Sequence, residues 1–101
     1  AARRAERAGF DILYVYAGMG YLPYQFLLSD YNRRADAYGG SVENRVRLVA
    51  ELIDAVREAT GGRCAVALRI SLQELRARPS EGWPSEAHAV IHALRAAPDL
   101  F

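Results

Sequence analysis

Two stretches of the chain combine residue types that can do chemistry. Residues 15–26, VYAGMGYLPYQF, set Tyr16 and Tyr21 on either side of Gly18-Met19-Gly20, directly after the apolar run Ile12, Leu13, Tyr14. A phenol offers a ring face and an exchangeable proton, so two around a sharp turn are candidates for one wall of a substrate site. The second stretch, CAVALRI at 64–70, carries Arg69 within an otherwise apolar run. A charge buried there must be paired, which makes Arg69 either half of a structural ion pair or a partner for an anion.

Gly18-x-Gly20 after a strand also raises the possibility of a phosphate loop. The dinucleotide fingerprint needs a third glycine and a helix that begins in the loop. Pro23 occupies that third position, and the next long helical pattern begins only at Val42. The phosphate reading fails on both counts, and the glycines serve to turn the chain at the strand end.

Other reactive types are better explained as structure. His88 and His92 lie four apart, a spacing that places two ligands on one helix face, but no third ligand and no H-E-x-x-H accompany them. Cys64 is the only cysteine, so neither a disulfide nor a cysteine metal site forms within the chain, and a small core hydrophobe is expected. Asn32, Arg33, Arg34, Asp36, Tyr38, Glu43, Asn44 and Arg45 are expected to pin a long loop by ion pairs and hydrogen bonds.

The elements that position these residues follow from periodicity. An Ala/Arg-rich helix ends at Gly9, and Phe10–Tyr16 has the unbroken apolar character of a strand covered on both faces. The segment up to Gly40 shows no sustained period and reads as a long functional loop. Ser41 can cap a helix whose Val42, Val46, Val49, Leu52, Ile53 and Val56 share one face, with Glu43 and Arg57 matching its dipole and Gly61-Gly62 stopping it. Cys64–Ile70 reads as a second strand, followed by a polar stretch with Pro79, Gly82 and Pro84. A helix over Ser85–Ala96 precedes Pro98, and Asp99-Leu100-Phe101 reads as the start of a third strand. This alternation predicts an α/β fold with a parallel sheet, whose chemistry lies at the C-terminal strand ends, from Tyr16 and from Arg69 onward.

Composition sets outer bounds. The 101 residues are 51% hydrophobic and 25% charged with net charge +1, an ordinary globular balance with no footprint for nucleic acid or anionic membrane. No run approaches the roughly 20 apolar residues of a membrane span, and AARRAERAGF has a helical rather than a secretory-signal pattern. A reducing, cytoplasmic setting is expected. The lack of an initiator Met and the helical opening suggest an excerpt of a longer protein, with 1–101 a single partial domain.

YGGSVENRVR at 38–47, the preceding YLPYQFLLSDYNRRAD at 21–36 and the following CAVALRIS at 64–71 resemble the old yellow enzyme family of FMN-dependent oxidoreductases. Members read H-G-Y-L, Q-F-L, N-x-R-x-D-x-Y-G-G-S-x-E-N-R and V-x-x-R in that order. Within the family, DILYVYAG with Tyr16 looks most like the trimethylamine, dimethylamine and histamine dehydrogenases.

The resemblance implies a fragment of a (β/α)8 TIM barrel, about strands four and five with their helices, with FMN at the C-terminal face. It places Arg69 beside the N1 and C2 carbonyl edge of the flavin, and assigns catalysis to Tyr16 and Tyr21. Reductases of the family typically hold His at the position of Tyr16, whereas Tyr21 is common to both subgroups and donates a proton in enone reduction. Met19, on the substrate-site wall, departs from the pattern, which has His or Asn there, and implies either altered catalytic chemistry or more apolar substrate recognition.

The implied reaction is oxidation of an amine by hydride transfer to the flavin, with a 4Fe-4S cluster and a second nucleotide bound outside this segment. The alternative is an NAD(P)H-dependent reductase of enones or 2,4-dienoyl thioesters. A third reading is a catalytically degenerate barrel that binds flavin or a partner protein. Implied partners are a small-molecule substrate, the rest of the barrel, an electron-acceptor protein or NAD(P)H, and further copies in a homo-oligomer.

Overall fold

The structure, a computed structural model, describes residues 1–71 and 85–101. Its elements are α1 (Ala2–Arg7), β1 (Ile12–Ala17), α2 (Leu22–Leu27), α3 (Val42–Thr60), β2 (Ala65–Ile70) and α4 (Ser85–Leu94). The polar stretch with Pro79, Gly82 and Pro84 lies outside the described residues. Among those described, no helix is long and apolar enough to cross a membrane.

β1 and β2 pair in parallel, from Ile12 opposite Ala65 to Tyr16 opposite Arg69 and Ala17 opposite Ile70. The two-residue period of a strand divides these side chains between two faces. Val15, Ala17, Val66 and Leu68 join one buried core with Val46, Val49 and Ile53 of α3 and Ala87, Val90 and Leu94 of α4. The opposite face carries Ile12, Tyr14, Tyr16 and Arg69, and there Ile12 and Tyr14 are exposed. Among the described residues the strand is covered on one face only, because the described helices pack from a single side.

α3 forms as its sequence dictates. The Ser41 hydroxyl accepts the Asn44 N–H at 3.3 Å, and Gly61 closes the helix in the left-handed region at φ 60°. Its apolar stripe contributes roughly 1.5–3 kcal/mol per fully buried Val or Ile side chain.

The reading of an irregular loop up to Gly40 needs correction, since α2 lies inside it. Six residues are too few to show a helical period, and short helices draw their stability from packing rather than propensity. Tyr24 and Leu27 are fully buried, and Pro23 fits the first turn, where its missing N–H costs no bond. α4 likewise stops at Leu94, two residues short of the expected Ala96.

The third strand begins where expected. Asp99 N–H donates to the Val66 carbonyl at 2.8 Å, Leu68 N–H donates to the Leu100 carbonyl at 2.9 Å, and Ala67 and Leu100 form a parallel bridge. The Asp99 carboxylate locks this start by accepting the Val66 N–H at 2.7 Å and the Arg57 guanidinium at 3.1 Å.

The Val66 N–H, helped by Arg57, holds the Asp99 carboxyl below the usual aspartate range. A lowered folded-state pKa adds stability that is present above the unfolded value of about 4 and lost as pH falls through the folded value. The stability difference between wild type and Asp99→Asn should accordingly be constant near neutrality and shrink below about pH 4. Denaturant titrations at a series of pH values measure it, and a difference independent of pH would refute the assignment.

Candidate functional site

The parallel register brings the predicted residues of the two strands together. The Arg69 guanidinium lies over the Tyr16 ring at 5.5 Å, and that ring lies 5.7 Å from the ring of Tyr21, tilted by 59°. Arg69, Tyr16 and Tyr21 thus form a row across the C-terminal ends of β2 and β1.

Arg69 differs from the sequence expectation of a buried charge, because it stands on the open sheet face and is exposed. Among the described residues its guanidinium makes no ion pair and no hydrogen bond. The stack on Tyr16 orients a guanidinium with five N–H donors available to a planar, anionic partner. Neither the Tyr16 nor the Tyr21 hydroxyl is hydrogen-bonded among the described residues.

The turn between the tyrosines is fixed at both ends. Tyr21 N–H donates to the Gly18 carbonyl at 3.2 Å, and Gln25 Nε2 donates to the Gly20 carbonyl at 2.7 Å. Gly20 sits at φ 74°, which favours glycine, whereas Gly18 is buried against Ser71 and Tyr16 without a positive φ. Met19 is at φ 49°, the one non-glycine in the left-handed region among the described residues, and is 75% exposed.

α2 begins within this loop, as a phosphate loop would require, so one of the two grounds against that reading falls. The other stands, since Pro23 occupies the first turn where the third glycine would allow close packing.

The charged loop residues act as a scaffold. Asn32 Nδ2 donates to the carbonyls of Phe26 and Tyr38, at 2.8 and 2.6 Å, and Arg34 pairs with Asp36. The Tyr38 hydroxyl donates to the Glu51 carboxylate at 3.0 Å, and Asn44 Nδ2 donates to the Gly39 carbonyl at 3.0 Å. Glu43 is held below the usual glutamate range by its own backbone N–H and the Ser41 hydroxyl.

Arg45, only 6% exposed, donates to the Leu27 carbonyl at 3.0 Å, the Gly40 carbonyl at 2.6 Å and the Glu86 carboxylate at 2.6 Å. It therefore ties α2, the following loop and α4 to α3. A Cβ on Gly39 would lie 2.1 Å from the Arg34 carbonyl oxygen, so only glycine fits there. Arg33 is exposed.

Two contributors had escaped the reading of individual residues. Gln25 latches the turn, and the ring of Phe26 supports both Arg34, at 5.7 Å, and the edge of Tyr38, at 6.2 Å. Their spacing carries no chemical pattern; only the folded loop shows what they hold.

His88 and His92 lie exposed, and the His92 ring meets Arg95. They line a shallow groove between α3 and α4 rather than the strand ends. Among the described residues no three His, Cys, Asp or Glu side chains cluster as a metal site would need. Cys64 is buried with its thiol toward the Phe10 carbonyl at 3.1 Å, as a core residue.

The chain is similar to a set of known proteins. A family profile described as NADH:flavin oxidoreductase / NADH oxidase matches residues 1–96. Flavin oxidoreductase hxnT of Emericella nidulans is 47% identical over 88 residues, covering 82% of this chain and 22% of its own length.

Among solved structures, 6-hydroxypseudooxynicotine amine oxidase (HisD) of Pseudomonas geniculata N1 superposes with a TM-score of 0.81 at 42% identity, covering 97% of this chain and 15% of that one. Morphinone reductase in complex with tetrahydroNAD superposes with a TM-score of 0.64 at 49% identity, covering 71% of this chain and 20% of that one. The fold is accordingly a portion of a TIM barrel, with strands on the inside and helices outside. The chain spans 22% of the length of that curated relative.

Proposed function

The chain belongs to the NADH:flavin oxidoreductase / NADH oxidase family, and from that membership we propose that it forms part of an FMN-dependent oxidoreductase that oxidises an amine. The observation that carries the reading is the row Arg69–Tyr16–Tyr21, with tyrosine rather than histidine at the end of β1. The superposition on an amine oxidase along nearly the whole chain supports the same choice.

The donor set fits the cofactor. Bound FMN supplies a hydride acceptor for the α-carbon of the amine. Arg69 would hold the cofactor, its N–H donors and positive charge favouring negative charge on a reduced flavin by the electrostatic logic of an oxyanion site. Tyr16 holds the Arg69 guanidinium by its ring face and offers its hydroxyl to the substrate. Tyr21, held by the turn of Gly18, adds a second phenol on the same side. A 4Fe-4S cluster and a second nucleotide would be held outside residues 1–101.

A second reading is an NAD(P)H-dependent reductase of enones or dienoyl thioesters, favoured by the Tyr21 hydroxyl, which is not hydrogen-bonded among the described residues and could donate a proton. Anaerobic mixing of the FMN-loaded protein with amines, and separately with NADH, decides between them. Flavin bleaching by an amine without NADH is the expected result. Bleaching by NADH alone selects the reductase, and bleaching by neither leaves a barrel that binds flavin without this catalysis.

A further inference from the structure

Met19 combines two properties that packing does not explain. Its backbone occupies the left-handed region at φ 49°, where an unbranched side chain with a Cβ is disfavoured and Gly, Asn or Asp is at ease. Its side chain is 75% exposed, so no core contact among the described residues offsets that conformation.

The turn itself enforces the conformation. The bonds to the Gly18 and Gly20 carbonyls close it on both sides, and Gly20 follows at φ 74°. An outlier held in place by its surroundings, and filled by a residue that gains nothing from it, points to a use outside the fold.

The position of Met19 indicates what that use is. It stands at the apex of the turn whose two ends bring Tyr16 and Tyr21 to 5.7 Å, on the rim of the row that ends at Arg69. Leu22, one residue beyond Tyr21, is also exposed, at 62%. The exposed side chains of the turn that joins the phenols therefore include two apolar ones, and that of Met19 is conformationally adaptable, which suits an irregular apolar surface better than a hydrogen-bonding group. A thioether has no proton to give and accepts only weakly, so it does not fix a polar substituent.

We infer that Met19 is a specificity-determining residue that selects amines carrying an aryl or alkyl group over small hydrophilic amines. The inference deepens the amine reading and rests on it. The apolar part of the substrate would lie against the Met19 side chain while its nitrogen and α-carbon face the tyrosines. One or two methylene equivalents of contact would give roughly tenfold discrimination.

The test compares benzylamine with methylamine in wild type, Met19→Asn and Met19→Leu, all loaded with FMN. The ratio of kcat/KM for benzylamine to methylamine should fall about tenfold in Met19→Asn and change less than threefold in Met19→Leu. Met19→Asn should also unfold at a temperature no lower than wild type, because asparagine tolerates the left-handed backbone.

If neither amine reduces the flavin in wild type, the amine reading fails on its own. The ratio of calorimetric Kd values for the same two amines then decides the role of Met19. A ratio that differs less than twofold between wild type and Met19→Asn overturns the proposal in either assay.

Discussion

Replacing Arg45 by methionine should cost about 3 kcal/mol of folding stability, more than any exposed charge among the described residues. Methionine keeps the apolar stem but removes every donor. The carbonyls of Leu27 and Gly40 lose the guanidinium bonds that now reach them at 3.0 and 2.6 Å, and the first of these lies where water has little access. Glu86 suffers less: its side chain is 29% exposed, against 8% for Arg45, so the freed carboxylate can hydrate.

Glu86→Gln should therefore cost only about 1 kcal/mol, since Arg45 keeps both carbonyls. Denaturant unfolding of the two variants provides the comparison. A loss below about 1 kcal/mol for Arg45→Met would mean that the buried guanidinium is dispensable to the loop. By contrast, the surface pair of Arg34 with Asp36 is half-exposed on both sides and is expected to contribute little.

The second large effect is expected at Arg69. Arg69→Ala should weaken FMN binding roughly ten- to a hundredfold, the loss expected for charge-assisted hydrogen bonds to an anionic partner. If binding is retained through other contacts, the loss should instead appear as a lowered midpoint potential, because in the proposed site the cation would favour the anionic reduced ring. Arg69→Lys should fall between, since an ammonium keeps the charge without the planar fork. Fluorescence titration of released flavin and a dye-coupled redox titration measure the two quantities. Both unchanged in Arg69→Ala would remove Arg69 from the cofactor site.

Part of this arrangement can be read from residue order. Ser41, the valine stripe and Gly61 announce α3 at both ends, and the apolar runs before Ala17 and Ile70 announce parallel strands. Asp99-Leu100 shows the onset of a third strand because Pro98 interrupts what precedes it. α2 stays hidden because LPYQFL is shorter than two helical turns and its order comes from burying Tyr24 and Leu27. The scaffold role of Arg45 is legible as a class but not in its partners, since Leu27 and Glu86 become neighbours only when three helices assemble.

The site shows the same division. Tyr16, Tyr21 and Arg69 stand out by type and by their place at strand ends. Whether Tyr16 faces Arg69 depends on the register of two strands far apart in sequence, and a slip of one residue would send the side chains to opposite faces. The exposure of Arg69 follows from which face the helices cover. The backbone of Met19 is likewise invisible in a list of residues, because methionine gives no hint of a left-handed turn.

The contact of Arg69 with Tyr16 also bears on how such a site can diverge. Tyr16 touches the Arg69 guanidinium on one side and a second phenol on the other, so exchanging it alters two neighbours at once. Residues in direct contact do not change independently in their energetic effects. Passage between a histidine and a tyrosine at this strand end is therefore an epistatic step spanning β1 and β2, and a lineage that takes it inherits a new footing for its arginine along with a new neighbour for Tyr21.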